Sequence, residues 1–174
     1  MKLVTEINNN ICTFCEFEIL QDGVNVVLKQ KGSKSSIILS KSEFEDYKKV
    51  SDFILLNIKE TNLINVLFGK FLENVDVNEN YDAETLHIDD SFFEDDNFIN
   101  NGTEIVLDIN KLSFAQNNIN YSKLLNVSSD ELNNPIFVTE RKGKYIVEDG
   151  NHRVLFSLIT NKKSIKCLTL KLEL

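Results

Sequence analysis

Between residues 71 and 110 the chain carries twelve acidic residues and not one lysine or arginine. Like charges at that density repel one another along the backbone and resist burial. The stretch therefore divides the polypeptide. Residues 1–70 balance nine lysines against nine acids, while residues 111–174 carry ten bases against six acids. The net charge of −8 belongs to the middle. The expected organisation is two small folded parts, 1–72 and 103–174, joined by an acidic linker or arm over 73–102. Such an arm could imitate a nucleic-acid backbone or engage a basic protein partner.

An apolar content of 42% suffices for a packed core. No apolar run reaches the ~18 residues of a membrane helix. The opening "MKLVTEINNN" lacks the apolar core of a secretory signal. A cytoplasmic protein with no membrane partner is expected. Three cysteines make a disulfide framework improbable. Cys12 and Cys15 have zinc-like spacing, but "ICTFCEFEIL" reads as a strand, where residues three apart point to opposite faces. A full ligand set would need His87, His152 or Cys167 to converge from far away, so no metal site is expected.

The fold class expected is mixed α/β, in the α+β sense. Residues 11–20 and 24–30 flank Asp22-Gly23, a hairpin signal, and residues 36–40 give a third strand of a small meander. "SEFE" then reads as a capping box, with Ser42 as the cap and Glu45 three residues on. Phe44, Tyr47, Val50, Phe53 and Ile54 follow at helical spacing. Beyond Thr103 short strands and helices interleave: "EIVLDI", a helix in "INYSKLLNVSSDEL", "PIFVTE", a Lys142-Gly143-Lys144 turn, "KYIVE", the helix "NHRVLFSLIT" and a closing strand "IKCLTLKLEL".

The residues that stand apart from packing are in "KYIVEDGNHRVLFSL". A strand runs into Glu148, Asp149, Gly150, Asn151, His152 and Arg153, and a helix starts at once. A glycine permits a positive φ or a close approach, and the first N–H groups of the helix carry partial positive charge. Arg153 adds a full charge and a fork of donors, and His152 another donor. Together they suit an anion, most naturally phosphate. Glu148 and Asp149 beside it could act as a base, hold Mg²⁺ or orient the arginine. The plainer reading is that Asp149 or Asn151 caps the helix and Arg153 pairs with Asp149 to hold the turn.

"NPIFVTERKGKYIVEDGNHRVLFSLITNKKSIKCLTL" resembles the ParB/sulfiredoxin superfamily. The matching positions are Pro135-Ile136-Phe137-Val138, Lys144-Tyr145, Gly150, His152-Arg153 and Ile165, with "IVLDINKLSFAQNNINYSKL" similar to the entry strand and first helix. The resemblance spans about residues 103–174. It implies a ParB/sulfiredoxin-like domain whose corner holds nucleotide phosphates, of the ATP or CTP class, with Mg²⁺ as a companion. Gly150, Asn151, His152 and Arg153 would form the cradle. Gln116 would lie in a second wall, and Asp149, Glu148 and His152 would be the catalytic candidates. Sulfiredoxins carry a cysteine at the Asn151 position, so sulfinic-acid repair is not expected. Partition proteins carry arginine at the His152 position and continue into a DNA-binding helix-turn-helix, so partition is not expected either.

Two functional classes follow. One is a protein that binds a nucleotide or phosphorylated small molecule, extending to a nucleotide-dependent transferase or hydrolase that moves a phosphoryl or nucleotidyl group. The alternative is a non-catalytic interaction module, for example a phage or mobile-element inhibitor, gripping a protein through the acidic arm or the N-terminal part. Direct nucleic-acid binding is not expected, because the N-terminal part is charge-balanced and lacks an aromatic-basic stripe.

Overall fold

A computed structural model describes residues 1–8, 11–58, 94–114, 119–128, 130–141 and 143–172. The architecture is mixed α and β, with two separate sheets. The chain divides into two units, Met1–Thr61 with Asn120–Ser129, and Asn62–Ile119 with Asp130–Leu174.

The first unit is an antiparallel meander of β1 (Lys2–Asn8), β2 (Ile11–Asp22), β3 (Asn25–Gln30) and β4 (Ser36–Ser40), in that spatial order. The hairpin expected at Asp22-Gly23 joins β2 to β3, and β1 adds a strand that the sequence reading lacked. Helix α1 (Lys41–Asn57) begins two residues earlier than expected. Ser40, not Ser42, is the cap: its Oγ accepts from the Glu43 N–H at 3.2 Å, and Glu43 Oε2 accepts from the Ser40 N–H at 2.8 Å. Ser40 ends β4, so the cap falls where the strand stops. The Ser40 hydroxyl and amide also hold the Glu43 carboxyl below its ordinary value. Phe44, Val50, Phe53 and Ile54 are buried, as helical spacing required. Phe44 joins Leu3, Phe17, Val26 and Leu28 in the core.

One edge of this sheet is closed by α1. The Val4 N–H donates to Ser51 Oγ at 2.9 Å, and the Val4 carbonyl accepts from the Tyr47 hydroxyl at 2.6 Å. The register also slips between Val4 and Glu6, bending the strand there. Among the described residues, helix α2 (Asp95–Asn101) and β5 (Thr103–Asp108) come after α1; α3 (Tyr121–Leu125) follows them but groups with the first unit, not with the residues that surround it in sequence. Asn120 caps it, Leu124 and Leu125 are buried, and the Tyr121 hydroxyl donates to the Asn57 carbonyl at 3.0 Å. The helix expected over 119–132 is thus five residues long, with a separate 3-10 turn at Glu131–Asn133.

The second unit is a five-stranded sheet in the order β5 (Thr103–Asp108), β9 (Ser164–Leu172), β7 (Ile136–Arg141), β8 (Lys144–Asp149), β6 (Leu112–Phe114). Strand β7 is parallel to β9 and antiparallel to β8; β6 is parallel to β8. Helix α4 (Asn151–Ile159) links β8 to β9, so the chain passes across β7 between them. Val154 seats α4 on a core of Ile109, Leu112, Phe114, Ile136, Val138, Val147 and Ile165. Asn161, at φ 63, takes the left-handed position just past the helix.

The last part of the expected acidic arm is folded. Helix α2 (Asp95–Asn101) buries Phe98 completely, and its ring stacks on Phe137 with centroids 5.0 Å apart and planes at 7°. Asp95 and Asp96 occupy its first turn, where a carboxylate favours the helix dipole. Gly102 lets this helix close down: its N–H reaches the Phe98 carbonyl at 2.9 Å, and an added Cβ would lie 2.4 Å from that oxygen. Residues 59–93, the bulk of the expected linker with Asp89, Asp90 and His87, lie outside the described residues.

Cys167 on β9 is fully buried, and burial pushes its thiol from an ordinary 9.0 up to about 11. With the folded pKa raised, the unfolded chain loses its proton first. The contribution of the neutral thiol is intact below pH 9 and is lost as pH rises towards 11. Urea midpoints should fall across that window, and Cys167→Ala should flatten the fall. Equal slopes for parent and variant would show that other groups set it.

Candidate functional site

The corner forms where β8 ends at Asp149 and α4 begins at Asn151. Gly150 is the N-cap, in the left-handed region at φ 102, ψ 16. An added Cβ would meet Ile136 Cγ2 at 2.4 Å and Ile136 Cβ at 2.8 Å. Glycine is therefore required twice, by backbone conformation and by close packing on the first residue of β7.

Arg153 is anchored on three sides. Its Nη1 donates to the Asn134 and Pro135 carbonyls at 3.1 and 3.0 Å, and its Nη2 donates to Asp149 Oδ2 at 3.1 Å. It thereby ties the entry to β7 to the exit of β8. The arginine side chain is 17% exposed, Asp149 64%. Asp149 is thus the accessible acid of the corner, and the pairing with Arg153 weighed in the sequence is present.

Glu148 faces elsewhere. The β7–β8 register runs Phe137↔Asp149 and then Val138↔Val147, so Glu148 is the extra residue of a bulge. Its Oε1 accepts from the Thr139 hydroxyl at 2.5 Å and from Arg141 Nη2 at 2.9 Å, while Arg141 Nε donates to Thr139 Oγ1 at 3.1 Å. Thr139 is wholly buried, and the Arg141 and Glu148 side chains are 4% and 16% exposed. Strand alternation places Thr139 and Arg141 on the face of Phe137, opposite the face of Ile136 and Val138 that meets α4. The two neighbouring acids differ in exposure and partner: Asp149 is 64% exposed and pairs with Arg153, while Glu148 belongs to an internal ion pair with Arg141.

Arg141 and Thr139 were missed in the sequence, yet a signal was present. The β7–β8 register pairs Arg141 with Lys144 and Thr139 with Ile146. Continuing the count puts Glu148 on the Thr139 and Arg141 face.

Asn151 opens α4, with its Oδ1 buried and without a hydrogen-bond partner. His152 is half-buried in the first turn. Gln116 lies outside the described residues. Cys12 and Cys15 both lie on β2, where Cys15 Sγ accepts from Gln30 Nε2 at 3.2 Å. Among the described residues no three His, Cys, Asp or Glu side chains gather as a metal site, and no helix is long and apolar enough to cross a membrane.

Comparison with protein-family models, curated proteins and solved structures finds no match to the chain. The likeness to the ParB/sulfiredoxin superfamily therefore rests on the residues quoted above.

Proposed function

We propose that the second unit binds a phosphate-bearing ligand of the nucleotide class at the start of α4. The observation that carries this is the way the helix begins. Helices α1 and α3 are capped by the Ser40 and Asn120 side chains. Helix α4 starts from a left-handed glycine, with no side-chain cap and no acid in its first turn. Its first ladder bond is Val154 N–H to the Gly150 carbonyl at 3.0 Å. The amides ahead of it lie outside the ladder and carry the positive end of the helix dipole, with the Arg153 guanidinium beside them.

Asp149 holds Arg153 Nη2 in the place that a phosphate oxygen would take. Being exposed, it can yield to that oxygen. In a transfer reaction the base or Mg²⁺-ligand role would fall to Asp149, with His152 as a further proton carrier. Glu148, held by Arg141 and Thr139, does not fit a Mg²⁺ ligand or a base for this corner.

Calorimetric titration with ATP and CTP, with and without Mg²⁺, tests this reading. The parent should bind one of them. Asp149→Asn, which removes the competing charge, should bind roughly two- to fivefold more tightly. Arg153→Ala should lose binding and also melt earlier, because it frees the Asn134 and Pro135 carbonyls. No binding by the parent ends the reading. Tighter binding with lost turnover in Asp149→Asn would favour a transferase over a binding protein.

A further inference from the structure

From the free edge of the first unit's sheet we infer that the chain forms a symmetric dimer, in which β4 pairs antiparallel with β4 of a second copy. This is independent of the ligand reading, since it concerns the other unit.

The two edges of the meander are treated differently. At β1 the outward N–H and carbonyl of Val4 are taken by Ser51 and Tyr47, and a bulge interrupts the strand. Among the described residues, strand β4 shows no charge, proline or bulge of the kind that protects an edge. Its sequence, Ser36-Ile37-Ile38-Leu39-Ser40, contains no charge, no proline and no bulge, and Ile37 and Ile38 are 46% and 65% exposed.

The ladder shows which groups point outward. The Gln30 N–H donates to the Ser35 carbonyl at 3.2 Å, so the Gln30–Ser35 pair is hydrogen-bonded across β3 and β4. Alternation along an antiparallel pair then makes Leu28–Ile37 and Val26–Leu39 bonded pairs too. Ser36, Ile38 and Ser40 turn their backbone groups away from β3. The Ser40 N–H is occupied by Glu43 Oε2 at 2.8 Å. Among the described residues, Ser36 and Ile38 remain as two complete donor–acceptor sets, two positions apart.

A second copy of the same strand matches this pattern. With Ile37 on the two-fold axis, Ser36 of each copy faces Ile38 of the other, and all four residues exchange both of their bonds. The axis puts Ile37 against Ile37, and these side chains lie on the face of Leu28 and so extend the buried core of each meander across the joint. On the opposite face Ile38 continues the row Leu20–Val27–Ile38 that already crosses three strands. The charges also agree. No like charges oppose each other within the strand, and Lys34 comes opposite Ser40 of the second copy, beside the α1 first turn that holds Glu43. The contact is isologous, so it closes at two copies.

Sedimentation of the full chain tests the inference, together with amide exchange at Ser36 and Ile38. The parent should sediment at twice its 20.0 kDa chain mass, with both amides protected. Ile38→Lys replaces an exposed side chain with an edge-blocking charge; it should sediment as a monomer with unchanged circular dichroism, and the Ser36 amide should exchange freely. A monomeric parent overturns the inference. So does a dimer whose Ser36 and Ile38 amides exchange freely, because another surface would then hold it. If Ile38→Lys fails to fold, the parent's mass and those two amides still decide the matter.

Discussion

Glu148→Ala is expected to cost about 3–5 kcal/mol of folding stability. The substitution removes the acceptor of both Thr139 Oγ1 and Arg141 Nη2 and leaves a guanidinium in a site where its side chain is 4% exposed. The charge left behind, not the lost attraction, sets the size of the effect. An apolar pair, Arg141→Met with Glu148→Leu, should therefore recover most of the loss, since a well-packed replacement of a buried ion pair is often neutral or stabilising. Urea denaturation of the single and double variants checks both claims. The same experiment separates structure from catalysis. A carboxylate whose job is proton transfer can be removed with little change in stability. If Glu148→Ala unfolds at the parent's urea midpoint, the internal ion pair is not what Glu148 is for.

Gly150→Ala is the second large expectation, at about 2–6 kcal/mol. Two penalties act together. A side chain at φ 102 is strained by roughly 1–3 kcal/mol. Overpacking against Ile136, where the new Cβ would lie 2.4 Å from Cγ2, adds a cost of about 1–3 kcal/mol. Thermal melts monitored by circular dichroism should show the drop. Were the glycine present only to make room for a ligand, the unliganded variant would melt at the parent temperature and lose binding alone. The geometry argues otherwise, since the missing Cβ points at Ile136 in the core.

Both expectations concern residues that the sequence had singled out for chemistry. The motif was legible as a strand, an acidic corner, a glycine and a helix, and that order is what the chain forms. The division of labour within it was not. Asp149 and Glu148 look alike in sequence. One is exposed and pairs with Arg153; the other is internal and pairs with Arg141. A bulge at Glu148 interrupts the register there, and the partners of Glu148 come from β7 while that of Asp149 comes from α4. Arg153 shows the same limit. Its charge and its place in the first turn of α4 could be read locally, but its two backbone acceptors, Asn134 and Pro135, lie far back in the chain.

The acidic stretch shows composition giving only part of an answer. The run of acids suggested an arm, yet from Asp95 onward two of those acids start a helix and Phe98 anchors it on Phe137. One aromatic residue in an acidic context carries no periodic signal, so its partner could not be inferred. The cap of α1 was two residues off for a related reason. "SKSEFE" offers Ser40 with Glu43 and Ser42 with Glu45, two overlapping boxes of the same form. The end of β4 selects the first.

By itself the sequence determined the elements whose information is local. Alternating and helical periodicity set strands β2 to β4 of the meander, α1, the β7–β8 hairpin and α4, because each element's apolar face repeats within a few residues. The glycine at the corner was visible as well, but its close packing on Ile136 was not. Only the tertiary structure decided the strand order β5-β9-β7-β8-β6, the allocation of α3 to the first unit, the burial of Arg141 with Glu148 and the exposure of the β4 edge. Each of those depends on which surfaces meet across long sequence separations. A side chain's burial and its hydrogen-bond partners are set by those meetings, not by its neighbours in the chain.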